Sequence, residues 1–155
     1  MSSTSVQADG VTGTAGQAQP GTPVEVRRVS EHSFVATNGR GGEVAIGRDG
    51  VVDGFTPGEL LLAAIAGCSG LTSENLLVRR LGDDASLAFH ADRTKEPDDP
   101  HTFSSVQVTA DLDLSVLPDD ERAKLVDAVH RAIERACTVS RTVERGTPVH
   151  LDIEA

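Results

Sequence analysis

The chain has 155 residues, enough for one domain with a hydrophobic core, and a net charge of −10 at pH 7. A protein that binds nucleic acid needs a basic surface, so this balance argues against a nucleic-acid partner. No uninterrupted apolar run reaches the roughly 18 residues of a membrane span, and no signal sequence opens the chain. We therefore expect a cytoplasmic protein with no membrane partner. In that reducing compartment, two cysteines more often serve catalysis, redox sensing or metal binding than a structural disulfide.

A polar tail precedes one folded domain. Residues 1–22 contain Gly, Ser, Thr, Gln and Ala with almost no large apolar side chain. Such a segment cannot bury enough apolar surface to offset the entropy lost on ordering, so we predict a disordered N-terminal tail. The domain is expected to span residues 23–155. Its core must come from Val, Leu, Ile and Ala, because the chain has four Phe and no Trp or Tyr.

Three short strands are predicted at the start of the domain, at 24–29, 33–37 and 43–46. The first turn lies at Ser30 and Glu31. The second is the sequence NGRGG at 38–42, which is rich in residues that tolerate positive φ. This arrangement is typical of an antiparallel meander.

A long helix is predicted from Thr56 to Leu81. Thr56 is a suitable N-cap, Pro57 suits the first turn and Gly82 suits the end. The middle of the helix, LLLAAIAGC, ends at Cys68 and is apolar on every side. A helix without a polar face is expected to be central and buried.

The second half of the chain again passes from strands to a helix. Apolar and polar residues alternate around 87–91 and 106–114, which predicts a pair of strands. Acidic residues after Pro118 begin a second helix, and an apolar stripe with spacings of three and four runs along it to Cys137. A further alternation over 149–153 predicts a closing strand. The order βββ-α-ββ-α-β indicates an α+β fold.

The two cysteines are the candidate reactive groups. Cys68 and Cys137 lie on core-facing stripes of the two long predicted helices. If these helices pack together, the sulfurs meet within disulfide range, with Cα atoms about 4.4–6.8 Å apart. Gly67 and Gly70 beside Cys68 allow close packing or leave room for a substrate, although each disfavours a helix by up to about 1 kcal/mol. The alternative is that both cysteines are small core hydrophobes, as most buried free cysteines are.

Arg40, in the turn NGRGG, is the candidate activator of Cys68. Lowering a thiol pKa from about 8.5 to about 6 takes roughly 3.4 kcal/mol. A guanidinium about 4 Å away supplies around 4 kcal/mol at an effective dielectric of about 20. Glu59 is expected to pair with Arg40 and hold its guanidinium in place. The alternative for Arg40 is a solvated arginine of an exposed turn. The alternative for Glu59 is an acid in the first helical turn that favours the helix dipole.

Metal and cofactor sites have no signature in this sequence. The five histidines are scattered, and neither HxxxH nor CxxC spacing occurs. We therefore expect neither a metal ion nor a cofactor, and structural or surface roles for the histidines.

Two segments resemble the OsmC/Ohr family of proteins that handle organic hydroperoxides. They are TPGELLLAAIAGCSGLTSENLL around Cys68 and ACTVSRTV around Cys137. The order of predicted elements is also similar to that family from about residue 24 onward. Two positions depart from the better-known peroxidases of the family. Gly58 stands where they carry a catalytic Glu, which is here one position later at Glu59, and Thr138 follows the second cysteine in place of Pro.

The resemblance implies an intertwined homodimer in which two long helices pack back to back between curved antiparallel sheets, with the active sites at the subunit interface. Cys68 would be the peroxidatic cysteine, which an organic hydroperoxide oxidises to a sulfenic acid. Cys137 would resolve it to a disulfide, and a dithiol, often lipoyl-linked, would reduce that disulfide. Arg40 matches the arginine that activates the thiolate in this family.

The leading hypothesis is therefore a thiol peroxidase for organic hydroperoxides that acts in oxidative-stress defence. An alternative is a non-catalytic protein of the same family that binds a small apolar molecule beside Cys68, with incidental cysteines. A third is a redox-responsive protein whose binding to a partner changes on oxidation. The pKa of Cys68 and its reaction with hydroperoxides distinguish the first hypothesis from the other two.

Overall fold

A computed structural model describes Gly21, residues 23–50 and residues 53–153. Apart from Gly21, the predicted N-terminal tail lies outside the described residues. The elements run in the order β1 (Val24–Ser30), β2 (Ser33–Asn38), β3 (Glu43–Gly47), α1 (Pro57–Leu81), β4 (Leu87–Lys95), β5 (Phe103–Leu112), α2 (Asp119–Ala136) and α3 (Thr138–Glu144). Two antiparallel sheets and three helices make a mixed fold, so the predicted α+β class is confirmed.

The first three strands form a sheet of their own in the order β1-β2-β3. Both pairs are antiparallel, with Val26 opposite Ala36 and Phe34 opposite Ile46. The predicted meander is thus confirmed. No strand of this sheet packs extensively against a helix of the same chain. The sheet connects to α1 through Phe55, whose backbone N–H donates to the Ala45 carbonyl at 3.0 Å and whose carbonyl accepts from Gly47 at 3.0 Å.

The long helix α1 begins and ends where the sequence predicts. Thr56 and Glu59 form a reciprocal capping box, and Pro57 occupies the first turn. At the other end Gly82, with φ of 98°, donates its N–H to the Val78 carbonyl at 2.8 Å. By length and composition alone α1 is also long and apolar enough to cross a membrane. One of its faces nevertheless packs against β4, α2 and α3, as in the core helix of a globular domain.

Within one chain only that face of α1 is covered. The buried residues form a stripe of Leu62, Ile65, Ala66, Ser69, Ser73 and Leu77. On the opposite side Leu71 is 75% exposed, and a Cβ added at Gly67 would meet no atom within 4 Å. The sequence predicts that α1 is buried on every side. Only one face of α1 is buried in the single chain, because no described helix or strand covers the other face.

The core lies where α1 meets α2 and the second sheet. Leu77 of α1 packs with Leu125 and Val129 of α2. Partly buried residues of β4 and β5, among them Phe89 and Leu112, surround this cluster. Strands β4 and β5 pair antiparallel, with Leu87 opposite Leu112. This packing holds α2 against α1 and thereby positions the C-terminal end of α2, where Cys137 lies.

The C-terminal part differs from the sequence prediction in two ways. A third helix, α3, follows α2 directly, although its sequence TVSRTVE is rich in β-branched residues that favour strands. The closing strand predicted over 149–153 does not form, and Val149 is 93% exposed. A strand requires a neighbouring edge with which to exchange hydrogen bonds, and no described strand of this chain pairs with residues 147–153.

Replacing Leu77 by Ala is expected to lower the free energy of unfolding by about 2–5 kcal/mol. Leu77 is 1% exposed at the centre of the core, so its truncation leaves a cavity between α1 and α2. Urea denaturation at a fixed protein concentration measures the change. The control is Val116→Ala, because Val116 is 66% exposed and its truncation should change stability by less than about 0.5 kcal/mol. Equal stabilities for the two variants would contradict the described core.

Candidate active site

The two cysteines come together although they are 69 residues apart in the sequence. Cys68 lies in the middle of α1, and Cys137 is the junction residue that ends α2 and begins α3. The backbone fixes this junction, since the Cys137 N–H donates to the Ile133 carbonyl at 2.9 Å and the Cys137 carbonyl accepts from Arg141 at 3.1 Å. Both residues are free thiols, and the Cys68 side chain is one of the neighbours that lower the pKa of Cys137. The two long helices pack together, as the sequence predicts, and the two cysteines lie near each other.

Exposure differs sharply between the two sulfurs. Cys137 is 0% exposed, whereas Cys68 is partly exposed. Of the two residues, Cys68 is therefore the one that a molecule in solution can reach more easily.

Hydroxyl groups surround the buried sulfur. The Ser140 Oγ lies 3.1 Å from the Cys137 Sγ. Burial by itself raises the pKa of Cys137, but the neighbouring Cys68 thiol, the Ser140 hydroxyl and backbone, and the nearby Ser69 hydroxyl lower that pKa by more. The net pKa of Cys137 is therefore below the usual value for a thiol. The polar contacts of this chain thus stabilise negative charge on the buried cysteine.

Ser69 and Ser140 also line an open cavity of about 1070 Å³ between α1, the second sheet, α2 and α3. Its walls include Ile65, Phe89 and Ile133, so much of the surface beside the cysteines is apolar. Charged and titratable side chains line it as well, namely His101, His130, Glu134, Arg141 and Glu144. The cavity is large enough for a small organic molecule. Neither cysteine lines the cavity, but Ser69 next to Cys68 in the sequence and Ser140 beside the Cys137 sulfur both do.

Glu59 lies in the capping box of α1 and is exposed. Its Oε2 accepts from the Thr56 N–H at 2.7 Å and from the Thr56 hydroxyl at 3.0 Å. These hydrogen bonds from Thr56, the backbone one first, lower the pKa of Glu59, and the nearby charge of Arg93 lowers it further. Within one chain Glu59 therefore caps the helix.

Arg40 lies in the exposed turn between β2 and β3. Its backbone N–H donates to the Asn38 Oδ1 at 2.9 Å, a bond that helps to shape the turn. Among the described residues its guanidinium makes no ion pair or hydrogen bond. The structure of one chain thus brings Cys68 and Cys137 together, and it leaves Arg40 and Glu59 apart from that pair.

The OsmC-like protein family matches residues 48–152 of this chain. The chain belongs to the OsmC-like protein family. An uncharacterized protein of Mycobacterium tuberculosis is 40% identical over 136 residues, which cover 85% of this chain and 96% of that relative. The resemblance inferred from the two cysteine segments is confirmed.

Solved structures of similar fold agree with this membership. A hypothetical protein from Aquifex aeolicus superposes with a TM-score of 0.62 at 21% identity, over 83% of this chain and 91% of the other. The organic hydroperoxide resistance protein OhrB of Bacillus subtilis gives a TM-score of 0.53 at 19% identity, over 84% of this chain and 94% of the other. At these identities the likeness shows the fold alone.

A local contact accounts for the departure of this OsmC-like chain at Gly58. A Cβ added there would lie 3.3 Å from the Cζ of Phe103, closer than ordinary side-chain packing. The Phe103 ring in turn carries the Arg93 guanidinium, 5.1 Å from its centroid. Phe103 thus fills the space in which a side chain at position 58 would lie.

Sequence reasoning missed Ser140, Ser69, Arg93 and Phe103. For Ser140 a signal existed, because residues three apart on a helix share a face, and Ser140 follows Cys137 by three. Ser69 is adjacent to Cys68 but lies on the buried face of α1, where only the packing of α2 reveals its neighbour. No local pattern indicates that Arg93 and Phe103, on different strands, meet at the first turn of α1.

Replacing Glu59 by Gln is expected to lower stability at pH 7 and to have no effect in acid. The folded pKa of Glu59 is lowered, so its carboxylate contributes stability above the ordinary value of 4.5 and loses it as pH falls through the folded pKa. Thermal unfolding from pH 7 to pH 3 measures the difference between variant and wild type. A matched control is Glu74→Gln on the same helix. A difference that stays constant down to pH 3 would rule out the capping role.

Proposed function

We propose that this OsmC-like protein is a cysteine-based thiol peroxidase that reduces organic hydroperoxides in the cytoplasm. The observation that carries the proposal is the pairing of an accessible Cys68 with a buried, hydrogen-bonded Cys137 beside a largely apolar cavity. The cavity suits the organic part of a hydroperoxide, and the fold is similar to that of an organic hydroperoxide resistance protein.

Two displacements account for the chemistry. The Cys68 thiolate attacks the terminal peroxide oxygen, the O–O bond breaks, and the alkoxide leaves as an alcohol after taking up a proton. Cys68 is then a sulfenic acid. The Cys137 thiolate attacks the Cys68 sulfur, hydroxide leaves as water after protonation, and the disulfide forms. Two electrons have passed from the thiols to the peroxide, and a dithiol, for example of the lipoyl type, returns them.

The Cys68 thiolate requires a stabilising charge, and Arg40 is our candidate for it. A guanidinium beside the sulfur favours the thiolate. Because the sheet that carries Arg40 does not pack extensively on the helices of its own chain, we propose that Arg40 reaches the Cys68 of a second subunit. Glu59 lies at the start of the same helix as Cys68, and from there it is proposed to pair with the incoming guanidinium.

A homodimer fits the apolar surface that a single chain leaves uncovered. Leu71 is 75% exposed on α1 beside the open face of Gly67, and the glycine there allows a second helix to approach closely. Val24, Val26 and Val29 of β1 and Val149, Leu151 and Ile153 near the C-terminus are also exposed. Large apolar side chains exposed on several elements are favourable places for another protein to pack. We propose that the second copy of the chain covers it, with the two α1 helices back to back.

A second candidate function rests on the same cavity. With about 1070 Å³ of largely apolar space, the protein would hold a small apolar molecule without turning it over. The hydrogen bonds around Cys137 would then be structural. In that case wild type and a variant without cysteines would bind such a molecule with equal affinity. Oxidation of the protein would leave both affinities unchanged.

One equivalent of cumene hydroperoxide is expected to remove both thiols of the wild-type protein. Cys137→Ser should consume peroxide once and stop at a sulfenic acid that dimedone traps, because the resolving thiol is absent. Cys68→Ser should consume none, since Cys137 is 0% exposed. Thiol titration and mass spectrometry measure the products. Retention of both thiols by the wild type, or undiminished turnover by Cys68→Ser, would exclude the peroxidase.

Replacing Leu71 by Asp is expected to convert a dimer to monomers, because a carboxylate at the helix interface would be buried without a partner. Light scattering after size-exclusion chromatography should give twice the chain mass for wild type and the single mass for the variant. Val116→Asp, on an exposed turn, is the control and should remain dimeric. If Arg40 acts across subunits, Leu71→Asp also loses peroxidase activity. A wild-type monomer would refute the dimer.

A further inference from the structure

We propose that Ser140 is a positioning residue that makes Cys137 the leaving thiolate when the Cys68–Cys137 disulfide is reduced, so that the dithiol attacks Cys68. The inference rests on the proposed function, because it concerns the second half of that cycle. A disulfide has two sulfurs, and which one is attacked depends on access and on which thiolate leaves more easily. The structure distinguishes the two cysteines in both respects.

Access favours attack on Cys68. Cys137 is 0% exposed at the α2–α3 junction, whereas Cys68 is partly exposed on α1. A thiolate must reach the sulfur that it attacks from the side opposite the S–S bond. Because no part of Cys137 is exposed in the described chain, a dithiol from solution reaches the Cys68 sulfur more easily.

The ease of leaving favours Cys137. The Ser140 hydroxyl lies 3.1 Å from its sulfur, and one turn of α3 holds the two residues on the same helical face. This contact is the only described hydrogen bond of the Ser140 side chain, so its proton is free to point at the sulfur. Ser69 is less available, because its hydroxyl donates to the Ile65 carbonyl at 2.9 Å and a hydroxyl has one proton. Ser140 is therefore the main donor to the departing sulfur.

Charged groups near the pair do not provide this stabilisation. The titratable groups that line the adjoining cavity are His101, His130, Glu134, Arg141 and Glu144. None of them donates a described hydrogen bond to either sulfur. The Arg141 guanidinium instead donates to the Arg135 carbonyl at 2.8 Å. Stabilisation of a Cys137 thiolate within the described chain thus comes from neutral donors.

The reduction proceeds in two exchanges. One thiolate of the dithiol attacks the Cys68 sulfur, the S–S bond to Cys137 breaks, and the Cys137 sulfur leaves with the electron pair. The dithiol is then joined to Cys68 in a mixed disulfide. Its second thiolate attacks the dithiol sulfur of that bond, and Cys68 leaves as a thiolate. The dithiol becomes a disulfide, and its two protons and two electrons end on the two cysteines. Ser140 donates a hydrogen bond to Cys137 in the first exchange.

The rate of reduction tests the role of Ser140. The disulfide is prepared with diamide, and its reduction by dihydrolipoamide at pH 7 is followed as thiol release. Ser140→Ala is expected to be about three- to tenfold slower than wild type, because a hydrogen bond to a leaving thiolate is lost. Ser140→Thr, which keeps the hydroxyl, should restore the rate. Thr138→Ala, at an exposed position of the same helix, is the matched control and should be unchanged. Equal rates for all four proteins would overturn the proposal.

The thiolate absorbance of single-cysteine proteins gives a readout that a purely structural role would not change. In Cys68→Ser the remaining thiol is Cys137, so absorbance at about 240 nm against pH reports its pKa alone. Adding Ser140→Ala is expected to raise that pKa, whereas adding Thr138→Ala should leave it unchanged. A pKa that does not respond to Ser140→Ala would contradict the assignment.

The position of attack is tested by peptide mapping. Diamide-oxidised wild type is treated with glutathione, quenched in acid, and alkylated in denaturant. Glutathione is expected on Cys68 and the alkyl group on Cys137, and the reverse distribution would refute the inference. Failure of diamide to form the disulfide would refute it as well. If diamide forms the disulfide but hydroperoxides do not, the proposed peroxidase activity is excluded. The reduction rates and the peptide map still test the role of Ser140 in that case.

Discussion

The contact between the α2–α3 junction and the middle of α1 is the constraint on which the site depends. It holds Cys137 against Cys68 and sets Ser140 beside the buried sulfur. Small side chains on α1 allow this approach, since Ser69 and Ser73 are buried and a Cβ added at Gly70 would lie 3.2 Å from the Phe89 ring. Bulkier residues on this face would hold α2 and β4 further from α1 and so separate the sulfurs.

Buried hydroxyls on an otherwise apolar helix face need hydrogen-bond partners, and α1 provides them from its own backbone. The hydroxyls of Ser69, Thr72 and Ser73 donate to the carbonyls four residues earlier, those of Ile65, Cys68 and Ser69. No buried side-chain polar atom of the described residues lacks a partner. The helix can therefore contain a polar site without the cost of an unsatisfied group, and Ser69 stays within reach of Cys137.

Much of the architecture could be predicted because it depends on local patterns. Capping residues fix α1, alternation of apolar residues fixes five strands, and the apolar stripe of α2 leads to Cys137. The helix α3 was missed because its β-branched residues favour a strand. Apolar and polar residues alternate over 149–153 as they do in a strand. This alternation predicts which side chains would be buried, but a strand also needs a neighbouring strand with which to form hydrogen bonds.

The site could be predicted only as far as its residues share a helix or a motif. The two cysteines could be paired because both lie on stripes that face the core. The neighbours of Glu59 could not be predicted, because Phe103 and Arg93 come from another part of the chain and meet the first turn of α1 only after β4 and β5 pack on it. Phe103 packs against Gly58, and the acid of the next position, Glu59, is held in the capping box.

The two halves of the proposed cycle depend on different parts of the assembly. Within one chain the described hydrogen bonds stabilise charge on Cys137, which is the sulfur that resolves the sulfenic acid and leaves during reduction. Activation of Cys68 needs a cation, and the candidate Arg40 lies on a sheet that scarcely touches its own helices. In the proposed cycle a single chain would contain what the disulfide exchange requires, whereas attack on the peroxide would require the second subunit. Separation of the subunits would then slow oxidation by peroxide far more than reduction of a preformed disulfide.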